Sequence, residues 1–171
     1  LFGENLVLRR KYEISESGIK IEDELINEGY SPAKYALLYH TNFGYPFLDE
    51  NLEISMPATK SEGLTDYAKS RANLRFKITA PIDDGEEEVF YNYLDRGEIF
   101  LKNPALGITV ITKFDTKDFP VTLLWKSMVS GDYALGIEPS TTRFDDFMPR
   151  VLYNKSVRKY VITYTFVSTK K

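Results

Sequence analysis

A large antiparallel β-sandwich, all-β throughout, is the expectation for this 171-residue chain. Two patterns and one absence carry it. Aromatic and β-branched residues recur with period two, as in Tyr160-Val161-Ile162-Thr163-Tyr164-Thr165-Phe166-Val167, which is the alternation of a half-buried strand. Candidate strands are short, and Gly, Pro, Asp and Ser separate them. No helical periodicity intervenes at the length a βαβ unit needs.

The elements follow in order. Val7 to Ile14 and Ile19 to Ile26 read as a hairpin around Ser15-Glu16-Ser17-Gly18. Ala33 to Phe43 is apolar at both parities, which predicts a central strand covered on two faces. Thr65 to Ala72 suits one or two helical turns. Leu74 to Thr79, Glu87 to Tyr93, Glu98 to Lys102, Gly107 to Phe114, Val121 to Lys126 and Tyr133 to Glu138 complete the set, with turns at Pro81-Ile82-Asp83-Asp84-Gly85 and Ser130-Gly131-Asp132. There is no internal repeat and no linker, so residues 1–171 are expected to form one β-sandwich domain.

The totals exclude several function classes. The 22 Lys and Arg against 25 Asp and Glu give a net charge of -3, without the clustered basic face a nucleic acid requires. No segment has the ~20 apolar residues of a membrane span, and the amino end shows no secretory pattern, so a cytoplasmic protein is expected. The absence of Cys rules out thiolate catalysis and disulfides. With one His, a zinc site would need several carboxylates to converge, and no loop has calcium-binding spacing. No metal is therefore expected.

Three segments hold candidate chemistry. His40 lies in Leu37-Leu38-Tyr39-His40-Thr41-Asn42-Phe43-Gly44-Tyr45-Pro46. An extended chain puts Ala36, Leu38, His40 and Asn42 on one face. Histidine exchanges protons near neutral pH, but an imidazole held in the core by one carbonyl is the competing reading. Glu138 ends Tyr133-Ala134-Leu135-Gly136-Ile137-Glu138-Pro139. Its same-face neighbours, Gly136 and Ala134, leave a floor nearly free of side chains, and Pro139 is expected to end the ladder. A general base suits that place, and so does a solvated rim carboxylate. Trp125, the lone tryptophan, offers a flat surface to the C–H face of a sugar or else packs in the core. Lys126 should point the other way. The acidic runs Glu86-Glu87-Glu88 and Asp145-Asp146 read as solvated loops.

Taken in order, the segment Leu37 to Glu50, then Trp125-Lys126, then Gly131 to Pro139 resemble the aldose 1-epimerase (galactose mutarotase)-like family, in its poorly characterised branch. The run Ile21 to Gly29 fits as the strand entering the histidine segment, and the resemblance covers most of Lys11 to Pro139. It implies a supersandwich in which Glu138 is the base on the anomeric hydroxyl and His40 the acid on the ring oxygen, facing each other across a sugar cleft. Asn42 and Trp125 are substrate-binding candidates by position. A monosaccharide, a hexose or a sugar derivative, is the implied partner, and no cofactor is required. Family members are longer and bring a further histidine and a basic residue from an amino-terminal half. The chain, which starts at Leu, is therefore expected to be the carboxyl-terminal portion of a longer domain. Its exposed sheet edges would then favour self-association. Beside the epimerase stand two other readings: a non-catalytic carbohydrate-binding or sensing domain on the same frame, and a structural β-domain.

Overall fold

The computed structural model describes residues 4–146 and 148–169. The first hairpin forms as its alternation requires. Strands β1 (Leu6–Ser15) and β2 (Gly18–Asn27) pair in one unbroken register from Leu6–Asn27 to Ser15–Gly18. The loop is only Glu16-Ser17. The next expected strand divides. Residues Ala33–Tyr35 form β3 and Thr41–Phe43 form β4. Two short strands then follow, β5 (Glu53–Ser55) and β6 (Ala58–Gly63).

One helix, α1 (Asp66–Ser70), starts where the Thr65 hydroxyl accepts from the Ala68 N–H. Leu74 to Thr79 is no strand. It follows a 3-10 turn at Ala72–Leu74 and runs irregularly to the β7 connection. Strands β7 (Glu88–Leu94), β8 (Glu98–Asn103), β9 (Ile108–Phe114), β10 (Val121–Val129) and β11 (Asp132–Ser140) agree with expectation within a few residues. Gly131, at φ 87°, takes the left-handed position in the two-residue turn between β10 and β11. The chain ends with β12 (Arg150–Leu152) and the long β13 (Val157–Ser168).

Two sheets carry the architecture. The first runs β1-β2-β13-β9-β8-β5 and the second β4-β11-β10-β7-β6, with β12-β3 as a separate pair. All these pairings are antiparallel. The main core lies between the sheets. Phe90, Leu124, Met128, Leu135 and Ile137 of the second meet Ile99, Leu101 and Val110 of the first. A second cluster, with Leu25, Tyr39, Phe119, Tyr160, Ile162 and Tyr164, fills the other part of the first sheet's inner face. Cross-strand partners share a face, so the β1 residues Leu8, Arg10, Tyr12 and Ile14 belong to this same inner face. Beyond Arg10 it is uncovered. Tyr12 is 57% exposed and Ile14 77%.

The histidine segment corrects one expectation. It is neither continuous nor central: β4 is the edge of the second sheet, and His40 is exposed. The other parity explains the apolar run. Tyr39 enters the second cluster, and its hydroxyl donates to the buried Asp23 carboxylate at 2.6 Å. Arg10 closes on the same carboxylate through Nε and Nη2 at 2.8 and 2.6 Å. No helix among the described residues is long and apolar enough to cross a membrane.

Candidate active site on the outer face of the second sheet

The site follows from register. On the outer face, Asn42, Gly136, Trp125 and Val89 form one row across four strands. Glu138, Leu123, Tyr91 and Glu62 form the next. The pairing of Thr41 with Ile137 and the bridge of Leu38 to Ser140 keep one register, which sets His40 opposite Glu138. Pro139 does not end β11, which continues to Ser140. Its carbonyl accepts from the Tyr39 N–H, so the side facing the histidine segment is the one where Pro lacks a donor. The ladder opens there, next to His40.

Sequence reasoning nominated His40, Glu138, Trp125 and Asn42, and the structure brings them onto this one face. His40 Nε2 lies 3.0 Å from Glu138 Oε1, and the rings of His40 and Trp125 are 6.0 Å apart at 60°. Asn42 stands exposed at the rim, opposite Gly136. One expected feature is different. The imidazole and the carboxylate do not face each other across a sugar-sized gap; they are in contact. The Glu138 side chain is 4% exposed and that of His40 50%, so the pair offers itself outward from one side.

Gly136 makes the carboxylate's position available. A Cβ there would lie 2.5 Å from Glu138 Oε1 and 3.2 Å from Trp125 Cβ. The bare floor read from the sequence is therefore occupied by the carboxylate itself, folded back over the glycine. Burial raises the Glu138 pKa above the usual carboxylate value; a protonated His40 opposes this, and the charge of Glu87 adds to it. Oε1 accepts no aligned hydrogen bond from the described protein groups despite its burial. A more basic carboxylate with an unused lone pair is equipped to take a hydroxyl proton.

Arg143 was not foreseen. Its guanidinium lies 4.2 Å over the Tyr91 ring. It donates to Glu62 Oε2 at 2.6 Å, to the Tyr93 hydroxyl at 2.7 Å and through Nε and Nη2 to both oxygens of Asp145 at 2.8 Å. The Phe144 N–H donates to the Tyr91 hydroxyl at 3.1 Å. These bonds fasten the segment after β11 against the outer face, as a wall beside the Glu138 row. Lys126 does face the other way, as expected. It lies inside, 3.2 Å from Glu88, and donates to the carbonyls of Leu74 and Lys77 at 3.1 and 3.3 Å.

Among the described residues, no three His, Asp or Glu side chains converge to hold a metal ion. The apolar cavity of about 560 Å³ is elsewhere, lined by Phe43, Phe47, Ile108, Val110, Phe166 and Val167. It has no convergent polar groups of the kind a sugar needs.

The architecture matches solved structures. A candidate aldose 1-epimerase of Klebsiella pneumoniae subsp. pneumoniae MGH 78578 superposes with a TM-score of 0.81 at 23% identity, over 95% of this chain and 50% of that one. A candidate aldose 1-epimerase of Escherichia coli K12 gives 0.72 at 12% identity, over 97% and 62%. A galactose mutarotase-like protein of Clostridium acetobutylicum gives 0.71 at 12% identity, over 97% and 57%. The shared feature is the galactose mutarotase-like β-sandwich. The chain spans about half to two thirds of the length of these structures. No curated protein matches the chain significantly. A family model does, over residues 1–146, and the chain accordingly belongs to the family described as Domain of unknown function (DUF4432).

Proposed function

We propose that this outer face is the acid–base wall of an aldose 1-epimerase-type site, with Glu138 as general base and His40 as general acid. The contact between His40 and Glu138 beside Trp125 is the observation that carries the reading. The two sugar oxygens concerned, the anomeric hydroxyl and the ring oxygen, are both bonded to C1. Two protein groups in contact therefore reach both oxygens from one side, with no need for a gap between them.

The steps balance. Glu138 takes the proton of the anomeric hydroxyl while protonated His40 gives one to the ring oxygen, and the C1–O5 bond breaks. The carbonyl then rotates. The O5 hydroxyl attacks its other face, returning its proton to His40, and Glu138 returns its own to O1. No proton or electron is gained or lost overall. Trp125, half-buried beside the pair, supplies a flat apolar surface for the sugar, and Asn42 supplies amide hydrogen bonds at the rim. A monosaccharide is the substrate class.

Anomer exchange measured by saturation-transfer NMR tests the reading. General acid–base groups contribute ~10²–10⁴-fold, so Glu138→Gln should lower exchange by that order. An equal rate in wild type and Glu138→Gln removes Glu138 from the mechanism. A second reading has its own support: the chain spans half the Klebsiella structure, so this face supplies one wall only. In a non-catalytic carbohydrate-binding domain, sugar would bind here while exchange stayed at the solvent rate.

A further inference from the structure

Strand β1 is the free edge of the first sheet, and its ten residues stand in one uninterrupted register with β2. The two-residue loop makes Ser15–Gly18 the closing hydrogen-bonded pair, so odd-numbered residues of β1 direct their N–H and C=O groups at β2. The opposite end agrees, where the Asn5 carbonyl accepts from the Glu28 N–H. Even-numbered residues, Leu8 to Ile14, direct theirs outward. Their side chains lie on the uncovered inner face, where Leu8, Tyr12 and Ile14 are all exposed. The edge is thus unpaired in the backbone and apolar along one side, and nothing along β1 interrupts it: no Pro, no Gly and no bulge.

We propose that a second copy of this chain pairs with β1 antiparallel to itself, about a two-fold axis at Tyr12. Charge selects that register. Centring the axis at Arg10 sets Arg9 opposite Lys11; centring it at Lys11 or Glu13 sets that residue opposite itself. Centring it at Tyr12 sets Lys11 opposite the partner's Glu13, and Glu13 opposite the partner's Lys11. Arg9 then meets a serine and Arg10 an isoleucine. Tyr12 meets its own copy as a hydrogen-bonding pair, which the outward groups of the even-numbered residues require. The ladder so formed joins two six-stranded sheets into one, and each copy's Tyr12 and Ile14 gain apolar neighbours where they had solvent.

Sedimentation velocity over a concentration series of the intact chain reads the outcome directly. The wild type should pass from 19.7 kDa to twice that mass as concentration rises. Lys11→Glu should weaken the dimer roughly tenfold or more, because two like-charge oppositions replace two attractions. Adding Glu13→Lys to Lys11→Glu restores the pattern and should restore the dimer. All three side chains at these positions are exposed, so folding is not at stake. The chain has no cysteine, so single replacements crosslink cleanly. Tyr12→Cys places two sulfurs on Cα atoms about 5.5 Å apart and should form a disulfide dimer on mild oxidation. Arg9→Cys places them roughly 20 Å apart and should not. A monomer at every concentration overturns the proposal. So does a dimer that Lys11→Glu leaves intact, or one crosslinked equally well through position 9.

Discussion

Gly136 and Glu138 share one space: a Cβ on Gly136 would lie 2.5 Å from Glu138 Oε1, with Trp125 Cβ and Cε3 at 3.2 and 3.3 Å on the other side. The carboxylate can fold back against β11 only because residue 136 has no side chain. Gly136→Ala must move either the carboxylate or the indole. Glu138 is the softer of the two, and it sits 3.0 Å from His40. The expected outcome is a folded protein with a displaced base. A misplacement near 1 Å costs up to about 10²-fold in rate. Anomer exchange should fall by that order in Gly136→Ala while circular dichroism stays unchanged. Unaltered exchange would show that the carboxylate does not need this position.

Glu138 also sets a pH dependence of stability. Burial raises its folded pKa above the unfolded value near 4.5. A carboxyl so raised costs nothing below its unfolded pKa, where both states are protonated. Above the folded pKa the buried charge opposes folding, and the full cost is present. Glu138→Gln should therefore raise the melting temperature at neutral pH, and the gain should vanish as pH falls to 4.5 and below. For a chain of this size each kcal/mol recovered appears as ~2–4 °C. A difference in melting temperature that stays constant with pH would contradict it. A variant that is more stable and less active is the signature of a base held at a cost to folding.

Beneath the same sheet, Lys126 and Glu88 form a buried pair with Arg71. Nζ is 3.2 Å from Glu88 Oε2, Arg71 Nε donates to Oε1 at 3.0 Å, and the two paired side chains are 1% and 4% exposed. Burial lowers the Lys126 pKa, with Glu88 opposing. Removing one partner of such a pair costs about 3–5 kcal/mol, because the other charge stays buried. Lys126→Met should destabilise by that order in urea unfolding. Lys126→Met with Glu88→Gln should recover most of it. Additive losses in the double variant would mean that the two charges do not act as a pair.

How much of this was legible in the sequence differs by residue, for physical reasons. The β1–β2 hairpin was legible because alternation and a short polar loop are local signals. Glu138 was legible because Gly136 and Pro139 are its near neighbours in sequence. The histidine strand was misread because Tyr39 and Leu37 are apolar for a tertiary reason, the second cluster around Phe119 and Asp23, and not because a sheet covers both sides. Strands of three residues, such as Glu53–Ser55, are too short to show a period. Arg143 had no local signal at all. Its partners Glu62 and Tyr93 lie 81 and 50 positions away.

That arginine leads to a prediction about the site wall. Its planar fork serves Glu62, Tyr93 and Asp145 together while stacking on Tyr91. A lysine keeps the charge but reaches one of these partners at a time. Arg143→Lys should therefore loosen the segment after β11 by roughly 1–2 kcal/mol, the scale of a partly buried cation–π contact. The amide of Phe144, bonded to the Tyr91 hydroxyl, is the reporter. Its hydrogen exchange should accelerate about tenfold, with the amides of β10 unchanged. Equal protection in both proteins would show that Arg143 does not hold the wall.

Trp125 provides the most direct reading of occupancy, because it is the chain's lone tryptophan. Its indole is half-buried, 6.0 Å from the His40 ring and in the row that includes Asn42 and Gly136. A sugar stacked there removes water from the exposed edge of the ring, so emission should shift to shorter wavelength and saturate with concentration. Stacking of this kind contributes roughly 0.5–1.5 kcal/mol beyond area burial. Trp125→Leu, read by calorimetry, should then weaken sugar binding about threefold to tenfold. Asn42→Ala removes rim hydrogen bonds but no stacking surface, so in that variant the emission shift should persist at higher sugar concentration. A saturable sugar response that survives in calorimetry with Trp125→Leu at full affinity would place the sugar away from this face. The cavity at Phe43 and Phe166 would then be the region to map next.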